Sequence, residues 1–320
     1  MAVYTDVTDE EIAAFAANYD LGQVLASKGI AEGVENTNYL LLAERGPFIL
    51  TLYEKRVRAA DLPFFVALME HLAARGVPTP LPVAGRDGQV LRTLAGRPAV
   101  LVTFLKGLWP RRPTAAHCGA VGEALARLHL AAVDFPMRRS NDLSVAGWRP
   151  LLETCLAAGD AVATELAREL ADELDVLERR WPDGLPAGII HADLFPDNVF
   201  FEGERLSGLI DFYFACSDLL AYDLAICLNA WCFEPDLSFN VTKARRLLWG
   251  YQSCRTLSAG ELTALPILAR GAALRFLLTR LHDWLQTPKD ALVTPKNPSE
   301  YLNKLRFHRR VRGPDGYGLD

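Results

Sequence analysis

The stretch Gly188-Ile-Ile-His191-Ala-Asp193-Leu-Phe-Pro-Asp-Asn198-Val-Phe-Phe-Glu-Gly203-Glu-Arg-Leu-Ser-Gly-Leu-Ile-Asp211-Phe212 decides the fold. Val199-Phe200-Phe201 has the apolar, strand-forming character of a short β-strand, Glu202 to Arg205 is a turn, and Leu206 to Ile210 is the returning strand. Asn198 precedes the first strand and Asp211 follows the second, so an antiparallel hairpin is expected to place both at its open end. Asp193 lies five residues before Asn198, in the loop that enters the hairpin.

One amide oxygen and one carboxylate at a hairpin mouth suit Mg²⁺, a hard cation that keeps several waters. A carboxylate at position 193 is placed to accept the proton of an attacking hydroxyl. An Asp, four residues, an Asn, a hairpin and a second Asp is the kinase arrangement, in which alignment and charge neutralisation do most of the catalytic work. Each residue alone has a bland reading: Asp193 as a loop cap, His191 as a hydrogen-bonded core residue, Asp211 as an ordinary strand end. The joint spacing favours the catalytic reading for Asp193, Asn198 and Asp211, and a structural, loop-organising role for His191.

Working outward, the region before this stretch divides into two. Thr8 with Glu11 reads as a capping box for a short amphipathic helix. Tyr39-Leu40-Leu41-Leu42 and Phe48 to Tyr53 are strand-length apolar runs around a turn at 44–47. A helix follows with Asp61 as N-cap and Pro63 in its first turn, and Gly76 with Pro78 ends it. Further strands are expected around Val90-Leu91 and Ala99 to Phe104. Beyond Lys106-Gly107 helical periodicity dominates: after Thr114, through 151–180, and from about 220 to 285. The expected architecture is α+β and two-lobed, with a small antiparallel-sheet lobe at 1–105 and a larger, mainly helical lobe at 106–320.

Composition is that of an ordinary globular protein with ample material for a core. Net charge is −5 and 23% of residues are charged, which argues against nucleic acid or an anionic membrane as the main partner. No run of about 18 uninterrupted apolar residues occurs, and the first residues have no signal-peptide pattern, so a cytoplasmic protein is expected. Cys118, Cys155, Cys216, Cys227, Cys232 and Cys254 form no C-x-x-C pair, so reduced, mostly buried thiols are expected. The basic end, Arg306 to Arg312, reads as a solvated surface or frayed tail.

HADLFPDNVFF followed by LIDF resembles the catalytic segment of the aminoglycoside-phosphotransferase-like small-molecule kinases, whose fold is protein-kinase-like. MAVYTDV, GIAEGVENTNYLL, FILTLYEKRV, LIDFYFAC and AYDLAICLNAWCFE extend the resemblance from the first residue to about 234, toward the homoserine kinases of bacterial threonine biosynthesis. The resemblance implies ATP and Mg²⁺, with Asp193 as base, Asn198 and Asp211 on the metal, and L-homoserine as acceptor. It places Gly33, Asn36, Thr37 and Asn38 over the nucleotide phosphates, and residues 102–105, including Thr103 and Phe104, at the adenine-binding hinge. Glycines that permit close backbone approach and amide or hydroxyl donors suit that role.

One position departs from the pattern. Kinases of this fold place a cation on the third strand, paired with a helix Glu; strand alignment puts Thr51 and Phe65 there. Losing both together is physically coherent, since a buried Glu without its cation is costly. Lys55 and Arg56 are candidates to neutralise the phosphates instead. For the acceptor, an amino acid with a hydroxyl, the candidates are Tyr213, Trp231, Arg275 and Arg280, with Asp218 nearby. An ion pair from core to surface is the bland reading of the arginines. Asp223 is expected to cap a helix or anchor the catalytic loop. Competing readings are a kinase of choline, methylthioribose or an aminoglycoside, a nucleotide-binding pseudokinase, and a metal-dependent phosphohydrolase built on His191 and Asp193. The hydrolase would need a second His/Asp cluster. No obligate protein partner is evident.

Overall fold

A computed structural model describes residues 5–30, 36–54, 57–157, 164–287 and 295–319. Gly33, Lys55 and Arg56 lie outside the described residues. The chain forms two compact units: Met1–Gly107 with Ser207–Tyr213, and Leu108–Leu206 with Phe214–Asp320.

The first unit is a five-stranded sheet in the order β1-β2-β3-β5-β4, built from β1 (Val24–Ile30), β2 (Thr37–Ala43), β3 (Gly46–Leu52), β4 (Arg92–Leu94) and β5 (Arg97–Thr103). Every neighbouring pair is antiparallel. The expected turn at 44–47 is tighter than its residue types suggested. Ala43 pairs with Gly46, so Glu44 and Arg45 alone make the turn and Pro47 already belongs to β3. The strand expected at Val90-Leu91 begins instead at Arg92. Alternation along β2 sends Tyr39, Leu41 and Ala43 into a core shared with Ile12, Phe15 and Ala16 of α1 (Asp9–Ala16). Thr8 and Glu11 cap that helix reciprocally. In α2 (Leu62–Ala74), Phe64, Phe65, Leu68, Met69 and Leu72 are buried. Each such side chain contributes about 1.5–3 kcal/mol. Asp61 precedes α2 but makes no cap; its carboxylate takes Arg58 at 3.0 Å.

The second unit is mainly helical: α3 (Ala115–Ala131), α4 (Val145–Leu156), α5 (Thr164–Arg180), α6 (Leu220–Trp231), α7 (Val241–Gln252), α8 (Ala259–Gln286) and α9 (Ser299–His308). β6 (Ala187–Ile190) pairs antiparallel with β9 (Cys216–Leu219) among them, and a hairpin joins β7 (Val199–Glu202) to β8 (Arg205–Leu209), whose residues from Ser207 on belong to the first unit. α3 and α7 pack without side chains between them at one point. A methyl on Gly122 would strike the Leu247 carbonyl, and one on Gly250 the carbonyl of Gly119. α8 is the one helix among the described residues long and apolar enough to cross a membrane, yet 72% of its apolar stretch is buried inside the protein, as befits a core helix.

The basic end is not a frayed tail. Arg306 and Arg309 pair with Glu169 on α5 at 2.6 and 2.9 Å, and Arg309 reaches the buried Glu173 at 3.1 Å. His308 and Tyr317 are wholly buried and share a 2.9 Å hydrogen bond. The six cysteines are free thiols, five of them buried.

Candidate active site

Chain sense alone carries β6 into the loop His191-Ala192-Asp193. What shapes the loop comes from elsewhere in the second unit. Asp223 on α6 accepts the backbone N–H of His191 at 2.7 Å and of Ala192 at 2.9 Å, one on each carboxylate oxygen. His129 of α3 meets the same carboxylate at 3.1 Å and Tyr251 of α7 at 2.8 Å. Arg255 reaches Tyr251 at 3.2 Å and Glu261 at 2.8 Å. Burial alone would raise the Asp223 carboxyl, but the His129 hydrogen bond, the His129 and His191 charges and the His191 backbone hold it below the usual range. On the loop's other side Arg275 of α8, 1% exposed, donates to the Ala192 carbonyl at 2.5 Å and lies 4.5 Å over the Phe276 ring. Trp231 donates its Nε1–H to the Leu194 carbonyl at 2.7 Å. So clamped, Ala192 adopts φ 64°, a left-handed conformation that a non-glycine residue holds only when its surroundings over-determine it.

The half-buried Asp193 follows that turn. Its N–H faces His191 Nδ1 at 3.3 Å, so the buried His191 shapes the loop through its ring. Asn198 donates its Nδ2–H to the Asp193 carbonyl at 2.8 Å and to Asp193 Oδ2 at 3.3 Å. These bonds engage the Asn198 nitrogen and not its amide oxygen. Asp211 supplies a carboxylate, again from a residue with positive φ, 66°. An amide oxygen and a carboxylate are each hard oxygen donors of the kind Mg²⁺ prefers. Among the described residues no group of three or more His, Cys, Asp or Glu side chains is placed to hold a metal ion. Asp193 and Asn198 belong to the second unit and Asp211 to the first, the boundary passing through β8.

In the first unit Asn36, Thr37 and Asn38 flank the segment 31–35, which is outside the described residues. Thr37 is wholly buried. Its hydroxyl accepts from Thr5 N–H at 3.1 Å and donates to Glu54 at 2.8 Å, which leaves only its backbone for a phosphate. The Asn36 oxygen accepts the Glu54 N–H at 3.3 Å. Asn38 instead accepts from Thr51 Oγ1 at 2.7 Å. Thr103 spends its N–H on the Leu81 carbonyl and its hydroxyl on the Leu81 N–H, both at 2.9 Å, while Phe104 is exposed just past the strand.

The acceptor candidates separate. Arg275 and Trp231 are buried with polar atoms on loop carbonyls, which assigns them to the loop's support and not to a pocket wall. Asp218 holds Asn141 at 2.6 Å. Arg280 is half-buried, paired to Glu300 at 2.5 Å and stacked 4.4 Å over the Tyr301 ring. Tyr213 lies edge-on to Tyr53 and Phe65 in the first unit. The sequence reading missed His129, although its place four residues after Leu125 on the buried face of α3 was a signal. It also missed Tyr53, which reads as one more apolar strand residue.

A compact antiparallel sheet unit, a helical unit and an Asp-Asn loop ahead of a β-hairpin define a phosphotransferase of the protein-kinase-like fold. The profile of the Phosphotransferase enzyme family matches residues 27–257. A solved aminopropanol kinase associated with a microcompartment superposes with TM-score 0.74 over 94% of this chain and 97% of its own, at 23% identity. Homoserine kinase of Rhodospirillum rubrum is 63% identical over the whole chain and 99% of its own length, and that of Afipia carboxidovorans 65% identical over the whole chain and 98% of its own. The chain belongs to the phosphotransferase enzyme family and, within it, to the homoserine kinases.

Proposed function

We propose that the chain transfers the γ-phosphoryl group of ATP to the hydroxyl of L-homoserine, giving O-phosphohomoserine and ADP. The observation that carries this reading is full-length identity above 60% to relatives named homoserine kinase. Asp193 accepts the hydroxyl proton as the new O–P bond forms and the bond to the ADP oxygen breaks. Asn198 keeps the Asp193 carboxylate oriented through its Nδ2–H and, with Asp211, is the holder of Mg²⁺. Bound there, the metal would neutralise charge on the phosphoryl oxygens. His191, Asp223, Arg275 and Trp231 hold the loop that presents Asp193.

The nucleotide falls to residues 1–105: Gly33, Asn36, Asn38 and the backbone of Thr37 for phosphates, Thr51 as the third-strand residue, and Thr103 and Phe104 for adenine. Residues 106–320 are the catalytic and acceptor lobe, with Arg280 as the cation for the homoserine carboxylate. A cytoplasmic location goes with these small, soluble substrates. The test is ADP release from MgATP by the purified protein with L-homoserine, choline, methylthioribose or kanamycin. Stimulation by homoserine alone is expected. Stimulation by another alcohol overturns the acceptor, and nucleotide binding without ADP under any of them would favour the pseudokinase reading.

A further inference from the structure

Asp193 is followed at once by Leu194, Phe195, Pro196 and Asp197, and this part of the loop packs against α8 and the end of the chain. Phe195 lies edge-on to Phe276 of α8 with centroids 4.9 Å apart, and Phe276 lies 5.3 Å from Tyr301 of α9. Lys296, shortly before α9, stands with its Nζ 5.8 Å from the Phe195 ring centroid and 3.8 Å from Asp197 Oδ2. Asp197 adjoins Asn198, whose Nδ2–H reaches Asp193. A cation thus stands over the stretch that follows the candidate base, and all of these residues belong to the second unit.

Tyr301 carries two more cations. The Arg280 guanidinium and the Lys304 ammonium each lie 4.4 Å from its ring centroid. Glu300 is shared between them: Oε2 takes Arg280 at 2.5 Å and Oε1 takes Lys304 at 2.6 Å. Lys304 also donates to the Asn229 carbonyl at 2.9 Å, near the C-terminal end of α6, where a cation is favoured. Two cations against one carboxylate leave this triad with one positive charge in excess, and the side chains of Arg280 and Lys304 are only 12% and 6% exposed. Every hydrogen bond that Arg280 makes among the described residues uses Nη1, to Glu300 and, at 3.5 Å, to the Asn297 carbonyl. Its Nε–Nη2 edge is left for a second carboxylate, held by two parallel bonds. The Asn297 bond sets this guanidinium against the residue next to Lys296. Lys296 is 60% exposed and its contact with Asp197 is long, so little is lost when it turns to a better acceptor.

We propose that the Nε–Nη2 edge of Arg280 and the Lys296 ammonium together take the carboxylate of an amino-acid acceptor, which makes Lys296 a specificity-determining residue for the reaction. The inference rests on the homoserine reading above and deepens it, by adding a second cation and assigning what supports the first. Glu300 and Tyr301 are positioning residues: Glu300 fixes the Nη1 end of Arg280, and the Tyr301 ring fixes its plane. Lys304 holds Glu300 in place and ties α9 to α6. A site of this kind separates an amino acid from the amino alcohol that lacks the carboxylate, because the second leaves the two cations without their anion.

The test uses the full-length protein and two acceptors that differ only in that group, L-homoserine and 3-amino-1-propanol. It measures kcat and KM for each acceptor, KM for MgATP and the melting temperature in wild type, Lys296→Met and Lys296→Arg. Lys296→Met should raise the homoserine KM about tenfold, the scale of one hydrogen bond between charged groups. The MgATP KM and the melting temperature should stay as they are, and the kcat/KM preference for homoserine over the amino alcohol should fall by a similar factor. Arginine keeps the charge, so Lys296→Arg should recover most of the loss. A homoserine KM equal to that of wild type would overturn the inference. An equal loss with both acceptors would overturn it too, by moving Lys296 from the carboxylate to the loop itself. Lys296→Arg as weak as Lys296→Met would remove the role of its charge. If the amino alcohol is turned over too slowly to measure, the homoserine KM decides. Wild type that used the amino alcohol as well as homoserine would strike the carboxylate subsite and keep the kinase, whereas wild type that phosphorylated neither would overturn the homoserine reading itself.

Discussion

The two units hold their candidate functional groups by opposite means. In the second, the Asp193 loop is gripped by buried charge: Asp223 under two backbone N–H groups and His129, and Arg275 on the Ala192 carbonyl. In the first, Thr51 donates to Asn38 and Tyr53 to Tyr213, two neutral pairs, the second between rings set edge-on. Buried charge gives stiff, directional support, and removing one partner leaves the other uncompensated. A neutral pair loses only a hydrogen bond when one partner is removed. The difference teaches where each unit should be fragile.

The largest effect tests what the charged scaffold is for. Asp193→Asn is expected to lower kcat by about 10²–10⁴ with ADP affinity nearly unchanged, as read by steady-state kinetics and calorimetry. A variant that kept most of its turnover would remove Asp193 from the base role. Next comes the scaffold itself. Asp223→Ala leaves two buried N–H groups and His129 without their acceptor, and should lower stability by about 3–5 kcal/mol in urea denaturation. Arg275→Met keeps bulk but frees the Ala192 carbonyl, and a smaller loss of about 1–3 kcal/mol is expected. If Arg275→Met were neutral in both stability and kcat, the positive φ of Ala192 would not depend on that clamp.

The scaffold unit should also carry an acid lability that the neutral pairs do not. Burial, with the Lys304 charge beside it, lowers the pKa of His308 to about 3, so it is neutral in the folded protein. The unfolded chain takes up that proton nearer the ordinary value of about 6.5. The contribution of His308 to stability is thus full above that value and is lost as pH falls toward its folded pKa. Melting temperature followed downward from neutral pH should decline, and less steeply in His308→Gln; an equal slope in both would place the acid sensitivity elsewhere. The smallest effect belongs to surface charge. Arg149 pairs with Glu178 and Asp175 at 2.6 and 2.7 Å, but in solvent, and Arg149→Ala should leave the denaturation midpoint unchanged. A clear drop there would mean that exposed networks also support α4 against α5.

Much of this was legible in the chain because it is local. The Thr8–Glu11 and Thr114 caps, the β2–β3 hairpin and the α2 core face are written in residues three or four apart. The spacing of Asp193, Asn198 and Asp211 is likewise a short-range pattern. Errors arose where a residue's environment is made by distant chain. Arg275 looked like a ligand for an acceptor because a charge in an apolar helix must have some partner, and the sequence does not say that the partner is the Ala192 carbonyl. Arg306 and Arg309 looked solvated because Glu169 and Glu173 lie on α5, remote in sequence.

By itself, then, the sequence determined the α+β division, the order of strands and helices, and the kinase-like spacing of an Asp, an Asn and a second Asp. Backbone propensity, capping and hydrophobic period act over a few residues, and they are enough for those. Only the tertiary structure decided which buried polar groups answer one another: Asp223 with His129 and the loop amides, Tyr53 with Tyr213, Thr51 with Asn38. Each of these groups must find a partner once water is excluded, and the partner is chosen by the packing of segments that the chain leaves far apart.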